Sequence, residues 1–329
     1  MGGVHLVGAG LRQVADPAAL NVVGISEALG GLWRIRGVYR ALLDEVEAKK
    51  PGAALLLDLP DFNLRLARAL KQRGVPVLYY IAPQAWAWRK GRVKQLRARV
   101  RKLCVVFPFE ETFFREHGVA AEFVGHPLTE EPIPAVPPVA RVALVPGSRS
   151  REVERLLPAM AGAAARLRQR LGPLEFVLPI APTIQEEQVR GILAQAGIQA
   201  RLVRGGAMEA FRGARLGLVA SGTASLEGAL AGVPMVVMYR VSQFTYAIAR
   251  TLSHLSHVCI VNILAGREVV PELLQGAVTP EGIADRAVGL YQEGPARVSA
   301  LSDLARVKAS LGEGNPSGRV SEILDNILL

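Results

Sequence analysis

An α/β fold in two domains is predicted by three observations. From Ala53 onward, apolar runs of four to seven residues alternate with longer stretches of helical period, the pattern of parallel sheets covered by helices. A segment carrying Pro127, Pro132, Pro134, Pro137 and Pro138 can continue neither element and divides the chain into two such series. In the second series, two apolar runs each end in a turn of small residues that opens a helix.

The first series places strands at Ala54–Asp58, Val75–Ile81, Leu103–Phe107 and Glu122–Val124, with helices over Asn63–Gln72, Lys90–Val100 and Glu110–His117. The second places strands at Val142–Val145, Glu175–Leu178, Ala200–Val203, Leu216–Ala220 and Met235–Met238. Its helices cover Glu152–Arg170, Ile184–Ala196, Met208–Arg212 and Ala224–Ala231, and the ending from Pro280 to Leu329 reads as wholly helical. The expected organisation is two Rossmann-like domains, residues 1–130 and 139–329, facing one another across a cleft with ligands at the carboxyl ends of the strands.

Composition narrows the function. With 329 residues and 50% hydrophobic content, the chain buries real cores and is not disordered. A net charge of +10 favours a polyanion, an anionic membrane surface or an anionic small molecule. Cys104 and Cys259, both inside apolar runs, read as core residues of a protein from a reducing compartment. The opening Met1-Gly2-Gly3-Val4-His5 lacks the pattern of a secretory signal, so export is not expected. The apolar window Leu216–Met238 is broken by Ser221, Gly222, Glu227 and Pro234, which makes it strand, helix and strand, not a membrane span.

The two turns are Pro146-Gly147-Ser148-Arg149 and Ser221-Gly222-Thr223. Backbone N–H groups and the positive dipole end of a helix hold phosphate at such turns, so a nucleotide diphosphate held between them is the predicted ligand. Arg149 brings a fixed, planar positive charge to clamp a leaving diphosphate. Glu227, an acid in an otherwise apolar helix start, needs partners that ribose hydroxyls would supply.

Among other polar residues, Asp58 ends an apolar strand and points into the expected cleft, where partial desolvation would raise its pKa towards that of a useful base. Asp61 sits where an N-cap for the next helix belongs. His126, before Pro127, reads as a turn residue, and neither His254 nor His257 has carboxylates at a metal-ligand spacing. No metal is predicted.

Trp86 and Trp88 precede a stretch in which Arg89, Lys90, Arg92, Lys94, Arg97, Arg99, Arg101 and Lys102 meet no acid. Val93, Leu96, Val100 and Leu103 recur at helical spacing, so one stripe turns inward and a basic face turns outward. That face suits an anionic membrane, at roughly 1 kcal/mol per basic residue. A solvated basic helix with both tryptophans in the core is the plain alternative. Nucleic acid is disfavoured, since no nucleic-acid motif accompanies the charge.

Taken together, these phrases resemble the lipid-A-disaccharide synthase family of inverting glycosyltransferases, which have the two-Rossmann GT-B architecture. The matching stretches are Asp58-Leu-Pro-Asp61-Phe-Asn63, Pro83-Gln-Ala-Trp86-Ala-Trp88-Arg89, Phe107-Pro-Phe-Glu110, Val124-Gly-His126-Pro127, Pro146-Gly-Ser-Arg149 with Glu152, Ser221-Gly-Thr-Ala-Ser-Leu-Glu227 and Asn262-Ile-Leu-Ala-Gly-Arg267-Glu268. They run in family order along nearly the whole chain. The resemblance implies transfer of 2,3-diacylglucosamine from UDP to the 6-hydroxyl of 2,3-diacylglucosamine 1-phosphate, giving a β-1,6 disaccharide and UDP without a cofactor. It implies Asp58 as general base and Arg149 as the stabiliser of diphosphate charge. Ser148, Glu152, Ser221, Gly222, Thr223, Glu227, Asn262 and Arg267 would line the nucleotide site. Trp86, Trp88, Arg92, Lys94, Arg97 and Arg101 would meet the inner face of the inner membrane, and a homodimer is compatible with the pattern.

One departure lies at the front. Gly2-Gly3 aligns just after the family's second strand, so about one βαβ unit is absent, including a strand expected at the centre of the first sheet. A longer natural protein and a paralogue that has lost the unit both account for this, and the intact motifs downstream favour the first. Another UDP-sugar enzyme of GT-B type, such as a UDP-N-acetylglucosamine epimerase or the muramyl-lipid glucosaminyltransferase, shares the phosphate turns but not the tryptophan phrase. An inactive UDP-binding protein is the reading from a different class.

Overall fold

A computed structural model describes residues 8, 10–15, 28–88, 91–130, 133, 136–241, 256–312 and 314–329. The expectations that fall on the opening residues, on Arg89, Lys90, Pro132 and Pro134, and on His254 lie outside these. The chain forms two compact units: one of residues 1–106, 110–124 and 317–329, the other of residues 107–109 and 125–316.

The first unit opens with α1 (Ala28–Lys49), followed by β1 (Ala54–Leu57), α2 (Pro60–Gln72), β2 (Val77–Tyr80), α3 (Gly91–Arg99), β3 (Lys102–Val105), α4 (Pro108–Glu116) and β4 (Ala121–Phe123). Its sheet is parallel in the order β1-β2-β3-β4. Leu56, Val77, Tyr79, Leu103 and Val105 alternate onto one face, where Leu64, Leu70, Val93 and Leu96 of α2 and α3 cover them. At the β1 edge the pattern inverts: Leu55 and Leu57 are 37% and 41% exposed.

In the second unit the order of elements is β5 (Arg141–Val145), α5 (Ser150–Leu171), β6 (Glu175–Ile180), α6 (Glu186–Gln195), β7 (Arg201–Arg204), α7 (Ala207–Phe211), β8 (Leu216–Ala220), α8 (Thr223–Leu230), β9 (Met235–Tyr239), α9 (Ile260–Ala265), β10 (Glu272–Leu274), α10 (Pro280–Tyr291) and α11 (Pro295–Ser310). The six strands lie in the order β10-β9-β8-β5-β6-β7, all parallel. Leu144, Leu218 and Val236 face one cluster with α5 and α10; Val145, Val219 and Val237 face the other with α7 and α9. Both faces are therefore buried, which is why these strands read as continuous apolar runs.

The helical ending is broken twice, at Pro295 and Pro316, each of which starts a helix because its missing N–H is not needed there. The last helix, α12 (Pro316–Leu328), supplies residues 317–329 of the first unit. Arg319 reaches Glu122 at 3.4 Å, and Leu328 packs on Gly52. Cys104 and Cys259 are buried and free, and burial pushes the Cys104 thiol up to about 12. No helix among the described residues is long and apolar enough to cross a membrane.

Candidate functional site

The two phosphate turns are neighbours. Strands β5 and β8 pair in parallel, with Val145 opposite Val219, so Pro146–Arg149 and Ser221–Thr223 emerge side by side at their carboxyl ends. The chain leaves β5 towards β6 and β7 and returns through β8 to β9 and β10. This is the topological switch point of the sheet, where open α/β folds bind ligands.

Each turn has its own construction. Gly222 adopts φ +151°, ψ −159°, a conformation for glycine alone, and precedes α8. Ser225 closes the turn by donating from its hydroxyl to the Gly222 carbonyl at 2.7 Å. Gly147 has φ +110°, and a Cβ there would collide with the Glu152 carboxylate. That carboxylate accepts the Ser148 N–H at 3.1 Å through Oε2 and the Arg149 guanidinium at 2.6 Å through Oε1. Arg149 is otherwise turned to solvent, with its side chain 79% exposed. Both Glu152 oxygens therefore serve the turn that the sequence assigns to the diphosphate.

Glu227 is half-buried on α8, with Oε1 close to Gly206 at the start of α7. No hydrogen-bond partner reaches its carboxylate among the described residues, and burial raises its pKa above the ordinary carboxylate value. At the end of β9, burial and then the nearby Glu152 charge raise the Tyr239 hydroxyl.

Two further residues expected at the nucleotide behave differently. Asn262 is fully buried: its Oδ1 accepts Val269 and Val270 N–H groups at 2.8 and 3.0 Å, while Nδ2 donates to the Val270 carbonyl and Glu272 at 2.8 and 2.6 Å. With every donor and acceptor direction used, it holds the loop after α9. Arg267 on that loop reaches Asp303 of α11 at 2.5 Å while its side chain stays 55% exposed. His257, without a carboxylate partner in sequence spacing, lies 3.5 Å from Glu272.

In the first unit, Asp58 follows β1 with φ +45°, and Leu59 repeats the left-handed conformation at +44°. A leucine there is strained by roughly 1–2 kcal/mol. The strain is held by two residues that sequence reasoning missed. Tyr79, buried in β2, donates from its hydroxyl to the Asp58 carbonyl at 2.5 Å, and Asn63 Nδ2 donates to the carbonyls of Leu57 and Asp58, both at 2.8 Å. Asp58 itself is exposed within its unit, so the expected desolvation is not supplied by its own neighbours. Asp61 is not the N-cap, a position taken by Leu59; it stands in the first turn of α2 and pairs with Arg92 at 2.6 Å.

The basic stretch is only partly a face. Arg92 is buried, paired with Asp61 and 5.6 Å over the Trp88 ring, so it is not offered to a membrane as expected. Lys102 pairs with Glu122 at 2.7 Å, and Arg99 donates to the Leu64 carbonyl at 2.9 Å. Lys94, Arg97 and Arg101 are exposed. Trp86 is half-buried and its indole N–H donates to the buried Glu110 at 2.9 Å, which ties the tryptophan phrase to the Phe107–Glu110 phrase and turns Trp86 inward, against expectation. Trp88 is 44% exposed. His126 is a turn residue: its Nδ1 accepts the Leu128 N–H at 3.2 Å, and burial lowers its pKa to about 4.

Comparison with known proteins resolves the remaining choice among nucleotide-sugar enzymes. The family profile described as lipid-A-disaccharide synthetase matches residues 1–314. The lipid-A-disaccharide synthase of Anaeromyxobacter dehalogenans (strain 2CP-C) is 44% identical over 334 residues, covering 98% of this chain and 87% of that protein. The one from Myxococcus xanthus (strain DK1622) is 41% identical over 340 residues, covering 100% and 89%. Among solved structures, the glycotransferase of kitacinnamycin aligns with a TM-score of 0.64 at 15% identity, over 98% of this chain and 88% of that one. UDP-GlcNAc 2-epimerase from Neisseria meningitidis, bound to UDP-GlcNAc, aligns at 0.61 and 14% identity, over 93% and 84%. These structural likenesses are of fold: two parallel-sheet α/β units of GT-B type with C-terminal helices. The chain belongs to the lipid-A-disaccharide synthetase family and is a glycosyltransferase of lipid A biosynthesis.

Proposed function

We propose that the family's transfer of 2,3-diacylglucosamine from UDP to 2,3-diacylglucosamine 1-phosphate is divided between the units, the second holding the UDP-sugar and Asp58 of the first acting on the acceptor. The observation that carries this reading is the adjacency of the two turns at the switch point of the second sheet, with the half-buried Glu227 on the helix that the second turn opens. Ser148, Ser221, Gly222 and Thr223 present turn groups to the diphosphate, and Glu227 accepts from the ribose hydroxyls.

Asp58 takes the proton from the acceptor 6-hydroxyl as that oxygen attacks the anomeric carbon and the bond to UDP breaks. A positioned general base is typically worth about 10²–10⁴-fold. Negative charge then grows on the diphosphate, where the turns and Arg149 stabilise it. Glu152 yields the Ser148 N–H to the entering diphosphate while keeping Arg149 directed at the turn. Asn262 and Arg267 act through the loop after α9 and not by contact from Asn262.

The chain works peripherally on the cytoplasmic face of the inner membrane, with Trp88, Lys94, Arg97 and Arg101 towards anionic lipid. The test of the donor site is calorimetric titration of the whole chain with UDP. Binding is expected in the wild type and loss of at least tenfold in Glu227→Ala; equal affinity in the two proteins removes Glu227 from the site.

A further inference from the structure

The first unit carries a groove of about 1120 Å³ lined by α1, α2 and α3, apart from the turns and from Asp58 itself. Its apolar lining includes Ile35, Tyr39, Leu59 and Phe62, with the Tyr39 and Phe62 rings meeting edge to face at 6.0 Å and 86°. Around that trough stand Arg36, Arg65 and Arg68, all exposed and without an ion-pair partner among the described residues. The acid of the lining, Asp61, already pairs with Arg92. Arg65 and Arg68, three positions apart on α2, share one helix face.

Uncompensated guanidinium groups beside an apolar, partly aromatic trough are the complement of one kind of molecule: an amphiphile with a phosphate at one end and hydrocarbon at the other. The groove begins at Leu59 and Pro60, directly after Asp58. Arg65 lies about 8 Å along α2 from Pro60 at 1.5 Å per residue. A phosphate bound there is within the reach of a single sugar from the base.

We propose that this groove is the acceptor site, with the sugar 1-phosphate on Arg65, Arg68 and Arg36 and an acyl chain against Tyr39 and Phe62. The inference rests on the reading of Asp58 as the base, because the same acceptor molecule must present its 6-hydroxyl to Asp58 and its phosphate to the arginines. Bulk membrane phospholipid shares this chemistry and is the alternative that the experiment separates.

The test uses the whole chain, wild type and Arg65→Gln/Arg68→Gln, both checked for folding by thermal melt. Equilibrium binding is measured for 2,3-diacylglucosamine 1-phosphate and for unphosphorylated 2,3-diacylglucosamine, each dispersed in neutral detergent micelles. The double variant is expected to lose about tenfold or more in affinity for the phosphorylated sugar, the scale of a lost charge-assisted contact, and nothing for the unphosphorylated one or for UDP. Equal affinity of both proteins for the phosphorylated sugar overturns the proposal, as does absence of measurable binding by the folded wild type. Intact micellar affinity with reduced flotation on anionic vesicles also overturns it and makes the groove a phospholipid contact. Asp58→Asn, measured beside them, is expected to bind acceptor like wild type. If it retains turnover, the base assignment fails on its own, while the groove is judged by the arginine variant.

Discussion

Glu152 and Arg149 are held together at 2.6 Å, and the same carboxylate accepts the Ser148 N–H at 3.1 Å, so the turn after β5 is closed by its own acid. On the proposed reading, an arriving diphosphate competes with that carboxylate for the N–H. Glu152→Gln is expected to tighten UDP binding a few-fold, since the like charge is gone, and to lower kcat because Arg149 is no longer aimed. Titration and steady-state kinetics on one preparation check both. A Glu152→Gln protein with weaker UDP binding would make Glu152 a direct ligand.

Asp58→Asn is expected to reduce kcat by about 10²–10⁴-fold, with UDP affinity unchanged. Retention of a tenth of wild-type turnover excludes a general base here. Tyr79→Phe supplies a companion: it removes the hydroxyl that holds the Asp58 carbonyl at 2.5 Å. Its kcat is expected to fall at least fivefold without loss of UDP binding, as for a residue that positions another.

Burial raises the Glu227 pKa, so the folded chain holds that proton to higher pH than the unfolded chain does. Between the unfolded and folded values the folded state binds more protons, and stability therefore falls as pH rises through that window. Glu227→Gln is expected to melt above the wild type at neutral pH and to coincide with it at pH values below the window. UDP, whose hydroxyls favour the ionised form, is expected to bind less tightly as pH falls through the same window. A melting difference independent of pH would show that Glu227 is not desolvated.

Lys94, Arg97 and Arg101 changed together to Gln are expected to reduce flotation with anionic vesicles, an attraction that salt screens. Arg92→Gln is expected to act differently, lowering the melting temperature, because its guanidinium is buried between Asp61 and Trp88. Unchanged flotation in the triple variant puts the membrane surface elsewhere.

Asn262→Ala strips partners from the N–H groups of Val269 and Val270 and from Glu272. Each buried group left unpaired costs about 1–3 kcal/mol, so a loss of several kcal/mol is expected by denaturant titration. A loss below about 1 kcal/mol would mean that water replaces the side chain.

The second sheet was legible because its strands are buried on both faces and bounded by glycine and proline, so Leu216–Ala220 was read without error. The front was harder. Helix α1 carries Gly30, Gly31 and Gly37 among Arg34, Arg36 and Arg40, which blurs the apolar period, and with it the groove of the first unit stayed hidden. Strand β10 has three residues, too few to show alternation. Arg92 and Asn262 are polar residues whose burial depends on partners brought by the fold; Asp61 lies 31 positions from Arg92, a separation that no local pattern reports. The strained pair Asp58–Leu59 was legible as a motif, while its support by Tyr79, 21 positions away, was not.

The last thirteen residues, Ser317–Leu329, belong to the unit that the chain began. Removing that helix is expected to free Glu122 from Arg319 and uncover Gly52 in the first unit, while the strands of the second unit keep all their partners. The first unit is thus fastened by a strap that returns to it from beyond the second in sequence, and a protease cut near Pro316 would loosen one unit and spare the other.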